Sequence, residues 1–238
     1  MEQLTKRILA IVLIAVIGIG VGITVWVFVA PYSWGAKDCP GAPAGITEDQ
    51  IIRIGVLGGI YDIQGRGQLE GAELAAYEIN SGPSGDGSDG GIVVDGKRYY
   101  IGITAEDTDE SNPNLNTVTG VAAAERILNY KQVQFLTGGF RSEALAVYLE
   151  TVMAAQKIFI GTGAATDVFC MNVRGFPAGD YSGLPDFPGS DYDKYKYFFR
   201  NMPINSTALA GEIFTFLLTY AGYFSTTQGR AINKFGIL

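Results

Sequence analysis

No histidine occurs among the 238 residues. The chain therefore lacks the side chain that titrates nearest neutral pH and serves most often as general base and metal ligand. Any Ser-His or Cys-His nucleophilic arrangement is excluded as well. Cysteine is nearly as scarce: Cys39 and Cys170 are the only two, far apart and without metal-site spacing. Positive charge is also short. Seventeen Lys and Arg stand against 24 Asp and Glu, a formal charge of −7, and such a balance lacks the basic stripe that nucleic acid requires. The expectation is a chain with no catalytic residues, no metal and no cofactor, and not an enzyme.

A long hydrophobic run, by contrast, is present. Residues 8–30 carry no charged side chain, and as a helix they would span about 35 Å, enough for a bilayer core of about 30 Å. Lys6 and Arg7 precede the run and the next basic residue is Lys37. This bias puts residues 1–7 in the cytoplasm and all that follows Pro31 on the extracellular or periplasmic side. The run exceeds an ordinary signal-peptide core and Pro31 spoils the cleavage site, so a single-pass anchor in the cell membrane is favoured over a cleaved signal. Lipidation at Cys39 is disfavoured because Ala36-Lys37-Asp38 lacks the apolar residues that precede a lipidated cysteine. Residues 31–50 are rich in Gly, Pro and Ala and read as a tether. Because Cys39 falls in that tether, no bridge to Cys170 is expected.

Residues 51–238 alternate strand and helix patterns. Strands are expected at 51–57, 99–104, 133–137, 158–160 and 197–200, with a hairpin turned at Asp95-Gly96. Helical spacing recurs at Leu69, Ala72, Ala76 and Ile79, with Asn80 to Pro83 as a stop. It recurs again at Val118, Val121, Ala122 and Leu128, at Leu145, Tyr148, Leu149 and Val152, and at Leu209, Ile213, Phe216, Leu217 and Tyr220. Residues 167–196, dense in Gly, Pro, Asp and Tyr, read as an inserted surface loop. The pattern predicts an α/β fold, a parallel doubly wound sheet with helices on both faces. Ligands of such sheets bind at the carboxyl ends of the strands.

The loops there offer weak and stronger signals. Gly65, Gly67 and Gly71 are too late and wrongly spaced for a dinucleotide loop. The acids of Glu106-Asp107-Thr108-Asp109-Glu110 read as solvated or as caps of the next helix. Gly139-Phe140-Arg141-Ser142 says more. Ser142 is expected at a helix N-cap, where its hydroxyl either caps the helix or helps free N–H groups hold a carboxylate. Arg141 would strengthen such a site or be a solvated surface charge. The segment Gly163-Ala164-Ala165-Thr166 supplies a carbonyl and a hydroxyl suited to an ammonium and a carboxylate.

Taken in order, Ile52-Arg-Ile-Gly-Val-Leu-Gly58, Gly71-Ala-Glu-Leu-Ala-Ala-Tyr-Glu-Ile-Asn80, Asp107 with Val121-Ala-Ala-Ala-Glu-Arg-Ile-Leu128, Gly139-Phe-Arg-Ser142, Gly163-Ala-Ala-Thr166 and Tyr197-Phe-Phe-Arg-Asn201 resemble one family. It is the branched-chain amino acid (leucine/isoleucine/valine) binding family of ABC transporter solute-binding proteins, with the type I periplasmic-binding fold. The resemblance implies a small-molecule ligand, an amino acid or similar, gripped by Ser142, Ala164 and Thr166, with Tyr61 near the ligand's side chain. It implies ABC permease subunits as partners, in addition to the membrane held by the N-terminal helix. A sensing receptor ectodomain of the same fold is the other reading. Family members have two lobes. Residues 51–238 match the first, and Phe235-Gly-Ile-Leu238 reads as the opening of a further strand, so a truncated chain without its second lobe is expected.

Overall fold

The run Ile-Ile-Arg-Ile-Gly-Val-Leu-Gly forms the central strand β1, Ile51–Gly58. It is apolar on both faces, as a strand buried within a parallel sheet must be. Val56 and Leu57 are completely buried. In this computed structural model, residues 32–115, 117–169, 192–202, 205–232 and 234 are described. The expected anchor at 8–30 and Cys170 lie outside them, as does most of the expected insertion. Among the described residues no helix is long and apolar enough to cross a membrane.

Strand β2 (Ile92–Val94) pairs antiparallel with β3 (Lys97–Asp107). The connecting Asp95 and Gly96 both have positive φ, 49° and 78°, the geometry of a two-residue hairpin that matches strand twist. Strands β4 (Phe135–Gly138), β5 (Ile158–Gly161) and β6 (Phe198–Arg200) complete a sheet of order β2-β3-β1-β4-β5-β6. All neighbours except β2 and β3 are parallel. Chain order therefore reverses between β1 and β4, where the strand order has its switch point.

Helix α1 (Ile63–Ser81) covers one face, where Ala76 packs with Val56, Ile101 and Ile103, flanked by Leu69 and Ala72. Helix α2 (Thr117–Glu125), continued by a π-type turn at Arg126–Tyr130, and helix α3 (Ser142–Ala154) lie side by side on the other face. A Cβ at Gly55 would meet the Ile127 side chain, which places that helix opposite Val56. Leu145, Tyr148, Leu149 and Val152 of α3 are buried as their spacing predicts.

The other helical stripes depart from expectation. In α2, Val118 is exposed while Gly120, Ala123, Ala124, Ile127 and Leu128 are buried. Gly120 lets the helix approach the ring of Tyr148, so the face of small residues turns inward and Val118 outward. In α1, Ile79 is 40% exposed and the polar neighbours Asn80 and Ser81 are buried. The helix runs through Asn80 and ends at Gly82, φ 64°. After the short helix α4 (Tyr192–Tyr195), helix α5 (Ser206–Gln228) has no buried residue at all. Its stripe of Leu209, Ile213, Phe216, Leu217 and Tyr220 packs into no core among the described residues.

Residues 34–50, read from composition as tether, lie against the domain. Trp34 is buried and its indole N–H donates to the Lys131 carbonyl at 2.7 Å. The carbonyl of Pro40 accepts from Asn80 Nδ2 at 2.9 Å. Cys39 is buried and free, its thiol pushed up to about 12 by burial with a contribution from Asp38.

Candidate functional site

At the carboxyl edge of the sheet each loop is tied to its neighbour through backbone. Thr108 N donates to Gly58 O at 2.9 Å, Gly139 N to Leu57 O at 2.9 Å and Thr162 N to Gly138 O at 3.0 Å. Such approach requires glycine at Gly138, φ 121°, where a Cβ would lie 2.1 Å from the carbonyl oxygen of Leu57. Between the loops after β1 and β4, at the switch point, is a cleft of about 210 Å³. Gly59, Asp62, Gln64, Gly65, Glu110, Ser111, Phe140 and Arg141 line it.

Glu110 organises this cleft. Its side chain is buried, and Oε1 accepts from Gly59 N at 3.1 Å and Phe140 N at 3.3 Å. Oε2 accepts from Arg141 N at 3.1 Å. Burial raises the carboxyl above the ordinary glutamate range, opposed by these three N–H bonds and reinforced by the charge of Asp107. Behind it the fully buried Tyr148 hydroxyl has no partner among the described residues, and burial, then the Glu110 charge, raises it well above the usual phenol range. Alongside, Gln68 Nε2 donates to Thr162 Oγ1 at 3.0 Å, joining α1 to the loop after β5.

Arg141 is at the cleft, but its guanidinium is committed. Nη1 donates to the carbonyls of Asn112 at 2.9 Å and Glu110 at 3.4 Å, and Nε is 3.6 Å from Glu143. Arg141 thus braces two loops, with its Nη1 on the carbonyls of the connection after β3, while its side chain still lines the cleft. Ser142 is the first residue of α3, not its N-cap; Arg141 occupies that position, and its side chain does not cap. The chain enters α3 through the amides that Glu110 holds, which displaces the cap by one residue. The Ser142 hydroxyl makes no hydrogen bond to any described residue.

Ala164 is buried, and its N–H donates to Gly139 O at 3.0 Å, so its loop adjoins that of Ser142. The carbonyls next to it are less available than the sequence suggested. Ala165 O accepts from Ser206 N at 2.8 Å, and Thr166 O from Arg200 Nη1 at 2.8 Å. The Thr166 hydroxyl accepts from Val168 N at 3.4 Å. Tyr61 is 92% exposed and does not line the cleft; its neighbour Asp62 does. The structure therefore brings Arg141, Ser142 and Ala164 to adjoining loops and leaves Tyr61 apart.

Glu110 is not legible in the sequence because five consecutive polar residues give no sign that Thr108 and Glu110 are the two that turn inward. Asp109, in the left-handed region at φ 53°, makes the turn that aims it. Among the described residues, no group of acidic or sulfur side chains is arranged to hold a metal ion.

No family model matches the chain, and no curated protein matches it. Several solved structures are similar. An ABC transporter substrate-binding protein from Sphaerobacter thermophilus shares 15% identity at a TM-score of 0.40, over 63% of this chain and 32% of that one. A solute-binding protein of an ABC transporter from R. palustris, in complex with 4-hydroxybenzoate, shares 16% at 0.39, over 63% and 31%. An ABC-type branched-chain amino acid transporter protein from Rhodopseudomonas palustris CGA009 shares 18% at 0.41, over 66% and 33%. The chain spans about a third of the length of each.

Proposed function

We propose that this chain is the first lobe of an extracytoplasmic solute-binding protein of an ABC transporter, binding a small polar solute, foremost an amino acid of the branched-chain type. The observation that carries this reading is the cleft at the switch point, with the unpartnered Ser142 hydroxyl beside it at the head of α3. A doubly wound sheet presents its ligand side at that place. The order of motifs from Ile52 to Asn201 supports the same assignment. At about 210 Å³ the cleft is smaller than the roughly 300–1,000 Å³ of a ligand pocket. It fits the polar end of a solute and forms one wall of a larger enclosure.

In this reading Ser142 and Thr166 give hydroxyls to the solute's carboxylate, and the loop at Ala164 faces its ammonium. Residues 8–30 anchor the protein in the membrane, residues 51–238 stand outside, and permease subunits receive the solute. Calorimetry with L-leucine, L-isoleucine and L-valine, followed by the other amino acids, tests it. Combining Ser142→Ala with Thr166→Ala is expected to weaken binding more than about tenfold, because each hydrogen bond to a charged group is worth about 1.5–3 kcal/mol. Unchanged affinity would remove both residues from the site.

A further inference from the structure

The three N–H groups that meet at Glu110 come from two different connections. Gly59 follows β1; Phe140 and Arg141 follow β4. Glu110 itself belongs to the connection after β3. One buried carboxylate thus joins all three loops that border the cleft. No cation pairs with that carboxylate among the described residues; the guanidinium of Arg141 turns instead to the backbone carbonyls of Glu110 and Asn112. Amides converging on one point from separate loops form a concavity that favours an anion, supplied by solvent, solute or the chain. Here the chain supplies it.

We infer that Glu110 is a positioning residue for the solute site: its carboxylate is a built-in anion holding Gly59, Phe140 and Arg141 where the cleft receives its solute. The inference rests on the solute-binding reading above. A carboxylate is needed because both oxygens accept. Glutamine keeps the shape but turns an NH2 toward one set of donors, and that side of the clamp is lost. The charged and titratable groups around Glu110 are Asp62 and Asp107 at the ends of the first two connections, Asp109 in its own turn, Arg141 and Glu143 at the head of α3, and Tyr148 within α3. None of them supplies a second acceptor to these amides, so Glu110 holds them alone.

The test compares wild type with Glu110→Gln as full-length protein. Amide hydrogen exchange at Gly59, Phe140 and Arg141 is read together with the affinity for L-leucine by calorimetry from pH 5 to pH 8. The expected result is at least tenfold faster exchange at those three amides with β1 and β4 unchanged. L-leucine affinity should fall at least tenfold at pH 7, and any change in affinity that wild type shows between pH 5 and pH 8 through Glu110 should be absent in the variant. Unchanged exchange overturns the inference, and so does unchanged affinity once the amides are loosened. If wild type binds no amino acid, the solute reading fails separately. Exchange then decides: loosening confined to the three amides supports the holding role, and loosening spread through the strands overturns it. Should Glu110→Gln not fold, wild type provides the measurement. The three amides should change protection together across the acid range with one common midpoint, and separate midpoints overturn the proposal.

Discussion

The side chain of Asn80 completes the edge of β3 at Ile101. Asn80 Nδ2 donates to Ile101 O at 2.8 Å, and Ile101 N donates to Asn80 Oδ1 at 2.7 Å. Pairing with β2 stops at Tyr99, so without Asn80 the backbone N–H and C=O of Ile101 would be buried and unmet. The same amide also donates to Pro40 O. Asn80→Ala is expected to lower stability by about 2–4 kcal/mol, from unmet buried groups at about 1–3 kcal/mol each. Asn80→Asp should be no better, since it loses the donor. Urea denaturation measures both, and a loss under 1 kcal/mol (about what one ordinary hydrogen bond contributes) would contradict the account.

The glycines of α1 should divide sharply. A Cβ at Gly65 would lie 2.3 Å from the Gly59 carbonyl oxygen, whereas Gly67 and Gly71 have nothing within 4 Å. Gly65→Ala is expected to cost at least about 1–3 kcal/mol by forcing α1 off the cleft loop. Gly67→Ala and Gly71→Ala should each gain about 0.5–1 kcal/mol as ordinary helix-interior replacements. Thermal unfolding of the three variants checks the order.

Glu110 carries a pH signature of its own. Its folded value lies above the ordinary 4.5, so just above that pH the folded protein keeps a proton that the unfolded chain has released. Stability from Glu110 therefore falls as pH rises through that window, until the folded carboxyl has also ionised. Urea titrations across the acid range should show this slope in wild type and not in Glu110→Gln. An opposite slope attributable to Glu110 would mean that its N–H bonds outweigh its burial.

Cys39 should be inert. Its thiol is buried and raised to about 12, so thiolate is scarce and shielded. With Cys170 replaced by serine, iodoacetamide at pH 8 is expected to modify the folded protein at least about 100-fold more slowly than the protein in urea. Equal rates would show that residues around Cys39 open freely.

Much of the fold was legible because its signals are local. The apolar run of β1, the Asp95-Gly96 turn and the stripe of α3 each depend on a few consecutive residues. The stripe of α2 misled because small residues, not its valines, face inward: Gly120, Ala123 and Ala124 are buried while Val118 is exposed, and only packing against Tyr148 selects that face. Asn80 looked like a helix stop, since asparagine often is one. Its actual partner, Ile101, lies 21 residues away, and only packing puts the two together.

The alternation of strand and helix follows from residue order alone, and with it a parallel α/β sheet whose working loops follow its strands. The sequence also singled out Arg141, Ser142 and Ala164, which do lie in adjoining loops. Packing alone set what those loops are: that Thr108 and Glu110 are the two of five polar residues that turn inward, that Arg141 Nη1 goes to backbone carbonyls, and that the Ser142 hydroxyl has no hydrogen-bond partner among the described residues. The reason is physical. Periodicity and turn chemistry act between near neighbours, whereas burial, and the hydrogen bonds it makes obligatory, depend on what the rest of the chain brings alongside.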